Sequence, residues 1–209
     1  MLKQALVENG LIAILRGLRP EEAPAIGDEL YKAGFRVIEV PLNSPQPYDS
    51  IRLLRQSLPA DCLIGAGTVL TAQQVNLVKE AGGQVIVMPH SDPTVLRAAK
   101  EAGLFLSPGV ATPTEAFAAL AEGADVLKLF PAEQMSPAVV KAWLAVLPLG
   151  TVLIPVGGIT PDNMSVFLEA GVKGFGLGSG LFKPGMSAAD VAERANAYVS
   201  AWKQLTERF

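Results

Sequence analysis

The sequence predicts an α/β fold, one domain over residues 1–209 built as a closed (β/α)8 TIM barrel with a short N-terminal helix. Three observations predict it. Short apolar runs ending in Gly, Pro, Thr or Ser alternate eight times with amphipathic stretches, and such alternation implies a parallel sheet. The repeat is about 25 residues, compact for a barrel of eight strand–helix units. The chain has 209 residues and is 50% hydrophobic, enough for one sizeable core. An open doubly wound sheet is the alternative, and the missing GxGxxG after the first strand argues against its dinucleotide-binding version.

Residues 1–10 are the expected helix that closes the bottom of the barrel. LIAILRG (11–17) is the first strand candidate and a helix follows over 20–33. RVIEVPL (36–42) leads to helix 46–57, and CLIGAGTV (62–69) to helix 71–81. QVIVMP (84–89) precedes helix 92–102, where Asp92-Pro93 pairs a cap residue with proline at the first helical position. LFLSPG (104–109) precedes helix 112–122, opened in the same way by Thr112-Pro113. DVLKLFP (125–131) precedes helix 136–146, opened by Ser136-Pro137. TVLIPVGG (151–158) precedes helix 161–170, opened by Thr160-Pro161. KGFGLGS (173–179) is the eighth strand, before a final helix over 187–204. AGF, AGG, AGL, EGA and AGV place glycine where a helix C-cap wants it.

Composition excludes several classes. The net charge of −3 gives no basic surface for nucleic acid. Charged residues are only 18%, which suggests that some outer surface is covered by another subunit. Cys62 is the single cysteine, so no internal disulfide forms and a reducing compartment fits. Cys62 reads as core. His90, the single histidine, follows the fourth strand and reads as a solvated loop residue. No spacing suggests a metal, and no cofactor is implied. MLKQALVENG lacks a signal-peptide core, and no apolar run approaches the roughly 20 residues that span a bilayer. The expectation is a soluble cytoplasmic protein with no membrane contact.

Chemistry is expected at the C-terminal ends of the strands. Side chains alternate faces along a strand. Alternation groups Ile12, Ile14 and Arg16; Val37, Glu39 and Pro41; Ile64, Ala66 and Thr68; and Val126, Lys128 and Phe130. Arg16, Glu39, Thr68 and Lys128 thus point at one cavity. A structural ion pair between Arg16 and Glu39, and a capping role for Thr68, are the plain alternatives. Lys128 in DVLKLFP is the most informative residue. Burial disfavours its charged form, and a neutral amine forms Schiff bases with carbonyls. Its plain alternative is a packed stem with the ammonium reaching water. Arg16 can hold a carboxylate by a two-pronged hydrogen bond, and Glu39 is the available proton shuttle. VGGIT (156–160) and GLGSG (176–180) end two strands in glycines, and free backbone N–H groups there suit a phosphate. Tight turns alone would also explain these glycines.

LIAILRG, VIEVPLNSP, LIGAGTV, SPGVATPTEA, LKLFPAE, VGGITPDN and GLGSGLF together resemble the 2-keto-3-deoxy-6-phosphogluconate/galactonate aldolases, over roughly residues 11–200. The resemblance implies a metal-free class I aldolase that releases pyruvate and D-glyceraldehyde 3-phosphate from a phosphorylated 2-keto-3-deoxy sugar acid. It implies that Lys128 forms the Schiff base and that Glu39 moves protons. Arg16 and Thr68 would hold the pyruvoyl end, Gly157, Gly158, Gly178 and Ser179 the phosphate, and Pro108 and Gly109 would line the pocket. A homotrimer is implied as well. Asn43 and Val156 stand where the phosphogluconate branch usually carries arginine and threonine, so the chain looks like the phosphogalactonate branch. Two rivals stay open. One is an isomerase or synthase that uses Glu39 and the same phosphate loops; the other is a silent barrel that senses a phosphosugar.

Overall fold

The computed structural model describes Leu6 and residues 9–207. The expected helix over residues 1–10 falls largely outside these, with Leu6 alone described in helical conformation. Nine strands are present among the described residues: β1 (Leu11–Ile14), β2 (Val37–Pro41), β3 (Leu63–Gly67), β4 (Val85–Val87), β5 (Phe105–Ser107), β6 (Gly109–Val110), β7 (Leu127–Leu129), β8 (Leu153–Pro155) and β9 (Phe175–Leu177). Eight α-helices separate them: α1 (Ala23–Ala33), α2 (Pro47–Ser57), α3 (Ala72–Glu80), α4 (Pro93–Glu101), α5 (Pro113–Ala121), α6 (Pro137–Leu144), α7 (Met164–Glu169) and α8 (Ala188–Thr206).

The expected closed eight-stranded TIM barrel is corrected. The strands form a six-stranded sheet in the order β5-β4-β3-β2-β1-β9 and a separate three-stranded sheet, β6-β7-β8. Every pairing is parallel, as alternation requires. The single strand expected over 104–109 is two. Pro108 has no N–H to give a neighbouring strand, and it divides β5 from β6. At the other junction a lone parallel bridge joins Val156 to Gly176, just beyond β8.

Two hydrophobic layers result. Leu11, Ala13, Ile38, Val40, Leu127 and Leu129 pack with the helices. Ile12, Ile14, Val37, Val126, Ile154 and Val156 form the inner cluster. Alternation is therefore correct for β1, β2 and β7, but not for β3. There Leu63 joins the inner cluster, while Ile64 and Ala66 face the helices. Five consecutive residues without charge carry no polar mark to set the parity. The inner positions after Leu63 are Gly65 and Gly67, which have no side chain to show in a pattern. A Cβ on Gly65 would collide with the Val85 carbonyl.

Helix ends follow their caps. Asp92, Thr112 and Ser136 accept from backbone N–H groups as expected, and Thr112 with Glu115 completes a capping box. Thr160 does not cap: residues 161–163 form a turn and α7 starts only at Met164. Gly34, Gly82, Gly103, Gly123 and Gly171 all take positive φ after their helices, the left-handed exit that glycine makes cheaply. Among the described residues no helix is long and apolar enough to cross a membrane.

Candidate active site

Lys128 sits at the middle of β7 with Val126 and Phe130 on the same inner side. It is only 6% exposed. Gly109 and Ile154 are its register partners on the flanking strands, and its N–H donates to the Pro108 carbonyl at 2.9 Å. The Nζ stands 4.6 Å from the centre of the Phe130 ring. Burial holds the amine below the usual lysine range; Glu39 pulls the other way, and Arg16 adds to the lowering. The physical requirement for a nucleophilic amine, desolvation beside a second cation, is met.

Glu39 comes from the inner side of β2 and is 1% exposed. Its Oε2 has no hydrogen-bond partner. Burial pushes its carboxyl up to about 7, against the opposing attraction of Lys128 and then Arg16. A carboxyl that titrates near neutrality can both take and return a proton at working pH. Gly67 makes the position possible, because a Cβ there would overlap the Glu39 carboxylate.

Arg16 emerges past the end of β1. One guanidinium nitrogen donates to Asn43 Oδ1 and the other to Thr68 Oγ1, the latter at 3.5 Å. Thr68 has φ 56°, in the left-handed region that a β-branched residue rarely occupies. This kink ends the alternation of β3 and turns the hydroxyl to Arg16. The expected convergence of Thr68 with Arg16 is therefore found, but a backbone kink produces it rather than parity.

A cavity of about 410 Å³ opens at this end of the strands. Arg16, Lys128, Val156, Gly157, Gly158 and Gly178 line it, with Ser179 beside Gly178. Glu39, Thr68, Pro108 and Gly109 are not in its wall. Glu39 is buried. Pro108 and Gly109 are buried backbone beside Lys128, and a Cβ on Gly109 would meet Pro89 backbone at 2.5 Å. Gly157 and Gly158 take φ 114° and 64°. Their loop is pinned by Asn163 Nδ2, which donates to the Gly158 carbonyl at 2.8 Å, and by Tyr198, whose hydroxyl donates to the Ile159 carbonyl at 2.8 Å. No helix starts directly at these glycines: α7 starts six residues past Gly158, and turns at 179–181 and 184–185 precede α8.

Three further residues line the cavity with no role assigned to them from the sequence. Phe130 reads as one more inner apolar residue in the sequence. Glu133 follows on a 3-10 turn (Ala132–Gln134), where strand parity has lapsed, and its carboxylate fills the space beside Gly157 and Gly158. Lys183 lies just beyond the GLGSG run. His90 is exposed, and its carbonyl accepts from the Gly109 N–H at 3.2 Å. Cys62 is fully buried with its thiol pushed up to about 12 by burial, in keeping with core packing. No cluster of three or more metal-ligating side chains occurs among the described residues.

A desolvated amine interacting with a buried carboxyl, both on the inner side of parallel strands, has the parts that a class I aldolase needs. The model of the KDPG and KHG aldolase family matches residues 2–197, and the chain belongs to that family. It is 49% identical over 196 residues to the probable 2-dehydro-3-deoxy-6-phosphogalactonate aldolase of Rhizobium meliloti (strain 1021), covering 94% of this chain and 92% of that protein. It is 44% identical over 197 residues to the 2-dehydro-3-deoxy-6-phosphogalactonate aldolase of Escherichia coli (strain K12), covering 94% and 96%. A solved structure described as native KDPGal superposes with a TM-score of 0.92 at 44% identity, covering 94% of this chain and 96% of that one.

Proposed function

We propose that this chain cleaves 2-dehydro-3-deoxy-6-phosphogalactonate to pyruvate and D-glyceraldehyde 3-phosphate through a Schiff base on Lys128. The observation that carries the proposal is the buried amine of Lys128, lowered in pKa and facing the cavity. The neutral Nζ attacks the C2 carbonyl and forms a carbinolamine. Glu39 supplies the proton with which water leaves, giving the iminium. Its carboxylate then takes the C4 hydroxyl proton, the C3–C4 bond breaks, and its electrons flow into the iminium to give an enamine and the aldehyde. Glu39 returns that proton to C3, and hydrolysis frees pyruvate. Arg16 and Thr68 hold the pyruvoyl carboxylate; Pro108 and Gly109 form the backbone wall beside Lys128. Amides of Gly157, Gly158, Gly178 and Ser179 receive the phosphate. The reaction uses no metal and no cofactor.

The working unit in this proposal is a homotrimer of single-domain chains in the cytoplasm. The low charged fraction supports a covered face, as do half-exposed apolar side chains such as Leu70 and Phe117.

Asn43 and Val156 support the galactonate epimer. Asn43 accepts from Arg16, and Val156, 7% exposed, lies on the cavity wall directly before the glycines. Valine offers no hydrogen bond to a sugar hydroxyl. Val156→Thr is expected to shift the kcat/KM ratio toward the gluconate epimer by roughly 2- to 12-fold, the worth of one neutral hydrogen bond. Cleavage of both phosphorylated sugar acids, coupled to pyruvate detection, measures this. A strong preference of the unmutated chain for the gluconate epimer would overturn the galactonate assignment and leave the aldolase one standing.

A further inference from the structure

We infer that Lys183 is the side-chain cation that binds the substrate phosphate, a role that rests on the aldolase reading above. The glycine cradle contributes only neutral amides, and the Glu133 carboxylate lies against Gly157 and Gly158. A phosphate dianion entering there meets a like charge, which a cation must offset. Three cationic residues line the cavity among the described residues: Arg16, Lys128 and Lys183. Arg16 is committed to Asn43 and Thr68 at the other end. Lys128 is the amine that must stay neutral. Lys183 remains, and it forms no ion pair among the described residues.

Its backbone is held in place. Phe182 is buried and its N–H donates to the Gly178 carbonyl at 3.0 Å, while the Lys183 N–H donates to Met186 Sδ at 3.3 Å. Pro184 packs so tightly on Gly17 that a Cβ there would lie 2.5 Å from its Cγ. The exposed ammonium thus swings from a fixed point beside Gly178 on a four-carbon stem.

The test compares phosphorylated and unphosphorylated 2-keto-3-deoxygalactonate with the unmutated chain, Lys183→Met and Lys183→Arg. Lys183→Met is expected to raise KM for the phosphorylated substrate about 5- to 50-fold, with a smaller change in kcat, as loss of one solvent-screened charge-assisted bond would. The gap should narrow at high salt, and Lys183→Arg should restore most of it. Equal losses on both substrates would mark a damaged turn and overturn the role, as would an unchanged KM. Borohydride trapping of pyruvate by the unmutated chain separates the two failures: no trapping sinks the aldolase reading, whereas trapping with an unchanged KM sinks Lys183 alone.

Discussion

Incubation with pyruvate and borohydride is expected to add one reduced pyruvyl group per chain, on Lys128, and Lys128→Ala is expected to abolish both this capture and turnover. Lys128 is desolvated among Val126, Phe130 and the Pro108–Gly109 backbone, so its amine attacks without first losing hydration. The other two cations of the cavity wall are poor substitutes as nucleophiles: the charge of a guanidinium is delocalised over its planar fork, and Lys183 is exposed with a strongly hydrated ammonium. The variant should fold. Removing a buried polar head from a site that already opens on a cavity relieves desolvation even as it loses stem packing. Mass spectrometry of the reduced adduct locates the label. A label on another lysine, or none on an active preparation, contradicts the assignment of Lys128.

Glu39→Gln is the second large effect. Glutamine keeps the shape but cannot cycle a proton, so turnover should fall about 10²- to 10⁴-fold. Solvent exchange of the pyruvate methyl protons should fall with it, and unchanged exchange would assign the proton to another group. Stability should respond in a pH-dependent way. The Glu39 carboxyl is pushed up to about 7 when folded, against roughly 4.3 in an unfolded chain. Its contribution is therefore fully present below the unfolded value and is lost as pH rises through the folded one. Between pH 5 and 7.5 the variant should gain about 2 kcal/mol on the unmutated chain. Denaturant unfolding of both proteins at the two pH values measures the gain. A stability difference that does not change with pH would mean that Glu39 is not protonated on burial.

Much of this site was legible because charge stands out against an apolar background. Lys128, Glu39 and Arg16 each interrupt a run of Val, Ile and Leu, and for β1, β2 and β7 alternation gives their direction. Thr68 was named for a reason that fails: β3 runs with the opposite parity, and a positive φ redirects the hydroxyl. Strand alternation cannot register a kink at one residue. Glu133 and Lys183 were illegible because both follow the regular elements, on turns where no period assigns a face. The barrel topology was overread for a similar reason. Eight apolar runs do not reveal that Pro108 removes a ladder donor or that the strands divide into two sheets. Parallel pairing, the helix boundaries and most caps were readable, since each rests on a local pattern.

Gly67 gives the pocket a one-atom test of descent. The Glu39 carboxylate occupies the volume that any larger residue at 67 would need, so a single methyl group there would displace the group to which the proposed mechanism gives proton transfer. On the proposed mechanism, a related chain with alanine at that position must hold its carboxylate elsewhere or lose the proton transfer, even if its lysine is intact. Screening uncharacterised relatives for a side chain at this position would therefore sort working lyases from silent sugar-acid receptors before any of them is expressed.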